Sequence, residues 1–214
     1  MIPLLHDFAG ETVLVFGGGP VGARKARRFT REATVVVVAP SFTDADFGGA
    51  ERVRAAPAPD DIPDWLDPAP ALVVAATDDG ALNARVESEA RERGILVNRT
   101  DTHGDRDPDS VVVPATVRDG EVVVAVSTGG AAPALSKHLR EQLEAEIADA
   151  GAMAELTGDI RDRLQREGVD PESRRDAVRA VVREERVWKH LGTAKAKAEQ
   201  EADAVVDGIV GDDT

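Results

Sequence analysis

Three glycines carry the clearest chemistry in this chain. Gly17, Gly19 and Gly22 stand in the spacing G-x-G-x-x-G, after the apolar run Thr12-Val13-Leu14-Val15-Phe16 and before Ala23-Arg24-Lys25-Ala26. A short apolar run of this kind reads as a buried strand, and the Ala-rich sequence after the loop reads as a helix. Gly17 permits the tight turn off the strand, Gly19 lets backbone come close to a pyrophosphate, and Gly22 lets the helix sit against the strand. The helix is entered through Pro20 and Val21, and its free N–H groups and positive dipole end face the phosphates. This is the start of a dinucleotide-binding domain. A second polar group, Thr77-Asp78-Asp79, follows the run Ala71–Ala76. It belongs at a strand's carboxyl end, where open α/β sheets bind ligands.

The elements that position these groups alternate. Thr34–Val38 is a β-branched strand, Arg52–Ala55 a weak third, Ala71–Ala76 a fourth and Ile95–Asn98 a fifth, with a helix over Gly80–Arg93 that stops at Gly94. Strands alternating with helices give one parallel sheet. An acidic residue usually closes the second strand and holds the ribose hydroxyls of NAD, but Ala39-Pro40-Ser41 stand there. Ser41 replaces part of that hydrogen bonding, and the lack of an arginine favours NAD over NADP. The period then changes. Ser110–Val117 and Glu121–Val126 flank Arg118-Asp119-Gly120 as a hairpin, and Pro133 opens a helix striped by Leu135, Leu139, Leu143 and Ile147. From Gly151 onward only helices are expected, the second capped by Asp170-Pro171-Glu172.

Composition narrows the class. The formal net charge of -14 excludes a nucleic-acid partner, which needs a basic face. Only five of the 26 basic residues are lysines, and excess acid with scarce lysine fits proteins of salt-loving archaea, an acidic mesophilic protein being the plainer alternative. No apolar run approaches the roughly 18 residues of a membrane span and no signal-peptide pattern opens the chain, so no membrane partner and a cytoplasmic location are expected. The absence of cysteine excludes disulfides and thiol nucleophiles. Asp105, Asp107 and Asp109 resemble a cation loop only superficially, since no bidentate glutamate follows at the required spacing, and no metal site is expected.

With these residues in order, the chain resembles the precorrin-2 dehydrogenase / sirohydrochlorin ferrochelatase family, the amino-terminal module of siroheme synthases. The resemblance rests on Gly17–Lys25, Val37-Val38-Ala39-Pro40, Ala75–Asp79 with Leu82-Asn83, Val97-Asn98, Pro114-Ala115, and Ala125–Gly130 with Pro133. It implies NAD-dependent oxidation of precorrin-2 to sirohydrochlorin on the path to siroheme or archaeal haem. The implied fold is α/β: a Rossmann-type NAD-binding domain over 1–110, a hairpin-containing dimerisation region over 111–150 and a helical domain over 151–214, in a homodimer. The cofactor residues it implies are Gly17, Gly19, Pro20, Val21, Gly22, Pro40, Ser41, Thr77, Asp78 and Asn83, and the substrate residues Asn98, Ser127, Thr128 and Gly129.

The family's essential aspartate maps onto Asp101 of Asn98-Arg99-Thr100-Asp101. Asp101 is the candidate base or the group that holds the ring in a reactive pose, and His103 a candidate for assistance. Many relatives carry a second acid where this chain has Thr102. Some members also insert ferrous iron as a second substrate. Arg99, Arg106, Arg118 and the helix start at Pro133 are candidates to receive the substrate's carboxylates. Two other readings stay open at this point: an NAD-sensing regulatory Rossmann module, and a tetrapyrrole chelatase without dehydrogenase activity.

Overall fold

A computed structural model describes residues 3–102 and 110–211. The chain forms two compact units, Met1–Val113 and Pro114–Thr214, each with its own core. His103, Arg106 and the aspartates at 105, 107 and 109 lie outside the described residues.

The first unit is built on a parallel sheet. Its strands are β1 (Thr12–Phe16), β2 (Thr34–Ala39), β3 (Glu51–Arg54), β4 (Leu72–Ala75) and β5 (Leu96–Arg99), in the order β3-β2-β1-β4-β5. Alternation along β1 feeds two cores. Val13 and Val15 face α1 (Pro20–Phe29), whose Ala23, Ala26 and Phe29 are buried against them. Leu14 and Phe16 face α2 (Ile62–Leu66) and α3 (Gly80–Glu92), where Ile62, Leu66, Leu82, Val86 and Ala90 pack. Because helices cover both faces, the central strands are apolar throughout, as buried parallel strands must be. β1 pairs with β2 on one side and β4 on the other, so the connections diverge at its carboxyl end. That divergence leaves the crevice in which such sheets bind ligands.

The structure departs from the expected hairpin at its first arm. Ser110–Val117 is not one strand. Ser110 bridges in parallel to Val97, and the Val111 N–H donates to the Val97 carbonyl at 2.8 Å, so residues 110–113 run along β5 at the edge of the first unit. Pro114 has no N–H to continue a ladder, and the chain leaves the sheet there. The hairpin proper is β6 (Ala115–Asp119) with β7 (Val122–Val126), turning at Gly120, and it opens the second unit.

In that unit α4 (Pro133–Glu146) packs on the hairpin yet buries none of its residues. Helices α5 (Ala150–Arg166), α6 (Pro171–Arg183), α7 (Glu185–Leu191) and α8 (Lys195–Val210) enclose Met153, Ile160, Leu164, Val181, Val187 and Val206. α7 is a separate helix. Glu184 leaves the helical region (φ -82, ψ 108) and its carboxylate accepts the Arg186 N–H, a break that no glycine or proline announces. Among the described residues no helix is long and apolar enough to cross a membrane.

Candidate dinucleotide and substrate site

The glycine loop connects β1 to α1 at the carboxyl edge of the sheet. Gly17 has φ +128, in the region open to glycine, and its N–H donates to the Val38 carbonyl at 3.0 Å. A Cβ on Gly17 would overlap the Ala76 carbonyl, and one on Gly22 would overlap the Gly17 carbonyl, so strand, loop and helix close on one another only without side chains. Gly18 is also closed in, by the Ser41 carbonyl and the Ala39 side chain. Nothing in the motif spacing marks it, although its place in the middle of three consecutive glycines is a visible hint.

Gly19 is different. It is the N-cap of α1, and a Cβ built on it would have nothing within 4 Å. Among the described residues no side chain caps this helix, and no acidic residue stands in its first turn. The first N–H groups of α1 therefore face an open space beside a bare backbone, which fits a pyrophosphate. Pro20 at the first helical position gives up an N–H that had no intrahelical partner. The dinucleotide expected from the sequence fits these residues.

Pro40 and Ser41 are exposed beyond the buried Ala39 at the end of β2, and the Thr43 N–H donates to the Gly18 carbonyl at 2.9 Å, tying that segment to the loop. On the other side of β1, Asn83 is fully buried on α3 and organises the end of β4. Its Oδ1 accepts from the Thr77 N–H (3.2 Å) and hydroxyl (2.7 Å), and its Nδ2 donates to the Thr77 carbonyl (3.0 Å). Asp79 then caps α3 by accepting the Ala81 and Leu82 N–H groups, while Asp78 is exposed.

Register carries the edge across to β5: Phe16 pairs with Ala75, and Ala75 with Arg99. Asn98 is 2% exposed, and both ends of its amide are used. Its Oδ1 accepts from Lys25 Nζ at 2.7 Å and its Nδ2 donates to the Val111 carbonyl at 2.7 Å. One amide thus joins α1, β5 and the 110–113 segment. Two residues past the strand, the Asp101 carboxylate lies against the start of α3, with Oδ2 3.8 Å from where a Gly80 Cβ would be.

Arg99 grips Asp101 with two bonds, Nε to Oδ1 at 2.7 Å and Nη2 to Oδ2 at 3.0 Å. This guanidinium, opposed in part by desolvation and helped by Asn83, holds the Asp101 carboxyl below the usual carboxylate range. Arg99 is held strongly protonated by Asp101 and Glu87. Its remaining bonds go to Glu87 Oε2 (3.1 Å) and the Gly80 carbonyl (3.4 Å). The expectation that Arg99 receives substrate carboxylates meets a competing use: four of its five N–H groups donate to protein oxygens.

The edge of the sheet thus brings Gly17–Gly22, Pro40, Ser41, Thr77, Asn83, Asn98 and Asp101 together. Ser127, Thr128 and Gly129 belong to the second unit. There the Thr128 hydroxyl accepts the Ala132 N–H at 3.2 Å and pairs with Ser136 at 3.0 Å, ordering the turn before α4. The Ser127 hydroxyl accepts the Gly129 N–H at 3.3 Å. Arg118 is exposed on β6.

Known proteins bear on this geometry. Residues 4–115 match the family described as putative NAD(P)-binding, and residues 119–146 match the central region of sirohaem biosynthesis proteins. A precorrin-2 dehydrogenase of Methanosarcina barkeri is 32% identical over 96% of this chain and 93% of its own. The chain belongs to the precorrin-2 dehydrogenase family. A siroheme synthase of Ectopseudomonas mendocina is 39% identical over 81% of this chain, which spans only 37% of that longer protein. The solved structure of SirC, a precorrin-2 dehydrogenase, shares the fold: TM-score 0.70 at 23% identity, covering 95% of this chain and all of SirC.

Proposed function

We propose that this chain oxidises precorrin-2 to sirohydrochlorin with NAD, and that Asp101 serves the reaction at the sheet's carboxyl edge. The observation that carries the reading is the uncapped start of α1 beside the open Gly19, on the same sheet edge as a carboxylate gripped by Arg99. NAD bound on Gly17–Gly22 supplies the hydride acceptor. The oxidation removes two hydrogens from the macrocycle, one as hydride to NAD, giving NADH, and one as a proton to solvent. Positive charge develops on the ring as hydride leaves.

Asp101 is ionised at neutral pH because Arg99 favours its charged form. A carboxylate of depressed pKa is a weak base and a good electrostatic partner, so Asp101 orients the ring and stabilises that developing charge. Asn98 supports the substrate side by holding the strand end that carries Asp101. Ser127, Thr128 and Gly129 contribute backbone and hydroxyl groups from the turn before α4. The hairpin and α4 form the homodimer interface, which accounts for a striped helix with Leu135 exposed and Leu139 and Leu143 only half-buried.

The test is absorbance during incubation with precorrin-2 and NAD, without metal. Sirohydrochlorin and NADH appear together with the wild type, and Asp101→Asn slows turnover by about a hundredfold or more while NAD still binds. Ferrous iron added afterwards reads out metal insertion separately. A folded, NAD-binding wild type that does not turn over refutes the dehydrogenase reading.

A further inference from the structure

Behind Asp101 lies a chain of alternating charge that neither the motif nor the family pattern includes. Glu87, on the third turn of α3, is 8% exposed, and a buried carboxylate of this kind must be paired. Its two oxygens divide between two guanidiniums: Oε2 accepts from Arg99 Nη1 at 3.1 Å and Oε1 from Arg91 Nη2 at 2.9 Å. Arg99 is the shared member, with one edge turned to Glu87 and the other gripping both Asp101 oxygens. Arg99 is a long side chain near the end of an edge-proximal strand. Asp101 fixes its fork from the front, and Glu87 fixes it from behind.

We infer that Glu87 is a positioning residue for the dehydrogenase reaction: by pinning Arg99 it sets the direction and the charge state of the Asp101 carboxylate. The inference rests on the proposed role of Asp101. Without Glu87, the rear edge of Arg99 loses its charged acceptor, the guanidinium turns toward water, and the two-point grip on Asp101 weakens. Among the described residues, the groups facing Asp101 are Arg99, two positions before it at the end of β5, and Asn83 and Gly80 from α3, with Glu87 and Arg91 behind Arg99. None of these except Arg99 brings a positive charge onto Asp101 directly, so the direction of change is set: the Asp101 carboxyl titrates higher when Arg99 leaves.

The test uses Glu87→Met, which keeps the bulk and removes both acceptor oxygens, and Glu87→Gln, which restores one. Arg85→Ala is the control, since Arg85 pairs with Glu89 at 2.6 Å on the same helix and does not touch Glu87. The titration of Asp101 is read by carbon NMR of its carboxyl group, and kcat and the KM for NAD by absorbance. Glu87→Met raises the Asp101 titration toward the ordinary aspartate value and lowers kcat about tenfold, with the KM for NAD within about twofold of wild type. Glu87→Gln recovers kcat to within about threefold, and Arg85→Ala leaves kcat and titration alone.

If Glu87→Met does not fold, Glu87→Ala, which admits water to both guanidiniums, takes its place. An unmoved Asp101 titration in a folded variant, or an equal loss of kcat in Arg85→Ala, overturns the inference. Wild-type turnover by Asp101→Asn overturns the role of Asp101 itself. In that case a shifted Asp101 titration without loss of kcat in Glu87→Met shows that the fault lies in the reading of Asp101 and not in the coupling.

Discussion

Gly19→Ala separates binding from folding at the loop. The added methyl meets nothing within 4 Å, and Gly19 sits at φ -81, ψ -177, extended backbone that alanine adopts freely. The stability change comes only from replacing glycine by alanine at a helix N-cap, at most about 1 kcal/mol. For a unit of this size that lowers the midpoint of thermal unfolding by roughly 4–8 °C at most. The same methyl occupies the space that faces the first N–H groups of α1. Losing one or two charge-assisted hydrogen bonds to a phosphate costs about 1.5–3 kcal/mol each, a weakening of NAD binding of about tenfold to 150-fold for one and more if both go. Calorimetric titration with NAD measures the affinity, and a melt of the same sample measures stability. Gly22→Ala is the counterpart: its methyl overlaps the Gly17 carbonyl, so the unit itself is destabilised, by about 2 kcal/mol or more. NAD affinity unchanged in a folded Gly19→Ala protein refutes the placement of the pyrophosphate. A Gly19→Ala protein that unfolds refutes the claim that the space beside it is open.

Other outcomes follow from the same geometry. Lys25→Met leaves the buried Asn98 Oδ1 without the donor now 2.7 Å away, and thermal unfolding should show the first unit destabilised by about 1–3 kcal/mol. Asp101 has a carboxyl pKa lower folded than unfolded, so it stabilises the fold above the ordinary aspartate value of about 4, and that contribution is lost as pH falls through the depressed value. Asp101→Asn removes this contribution, so its melting temperature falls less than that of wild type over the same acid range; parallel curves refute the shift. Leu135 is 48% exposed on α4, and Leu135→Asp should convert a dimer to a monomer in sedimentation without unfolding the helices. A wild type that sediments as a monomer removes the interface proposal.

The first unit was legible because its signals are local. Glycine at Gly17, β-branched runs at Thr34–Val38 and a strong apolar run at Leu72–Ala75 each declare their backbone within a few residues. The split at Pro114 was harder: Ser110–Val113 and Ala115–Val117 read as one run, and only the pairing of Val97 with Ser110 divides them. The break at Glu184 was invisible, since a helix can be interrupted by a side chain capping its own next turn. At the site, Asp101 followed from the family pattern. The commitments of Arg99, Lys25 and Glu87 depend on which α3 and α1 residues fold over the sheet edge, a matter of tertiary distance that no spacing encodes.

The path of residues 110–113 has a consequence for how the family can diversify. The chain leaves β5 with the Thr100 N–H bonded to the Ala75 carbonyl, and it returns to the same strand with the Val111 N–H bonded to the Val97 carbonyl. Entry and exit of the intervening segment are thus anchored on neighbouring rungs of one sheet, with Asp101 next to the entry. Doubling the length of a segment anchored in this way adds only about 0.6 kcal/mol of closure cost. A change of length between Thr102 and Ser110 is therefore cheap in closure, and Asp101, gripped by Arg99 beside the entry, keeps its address.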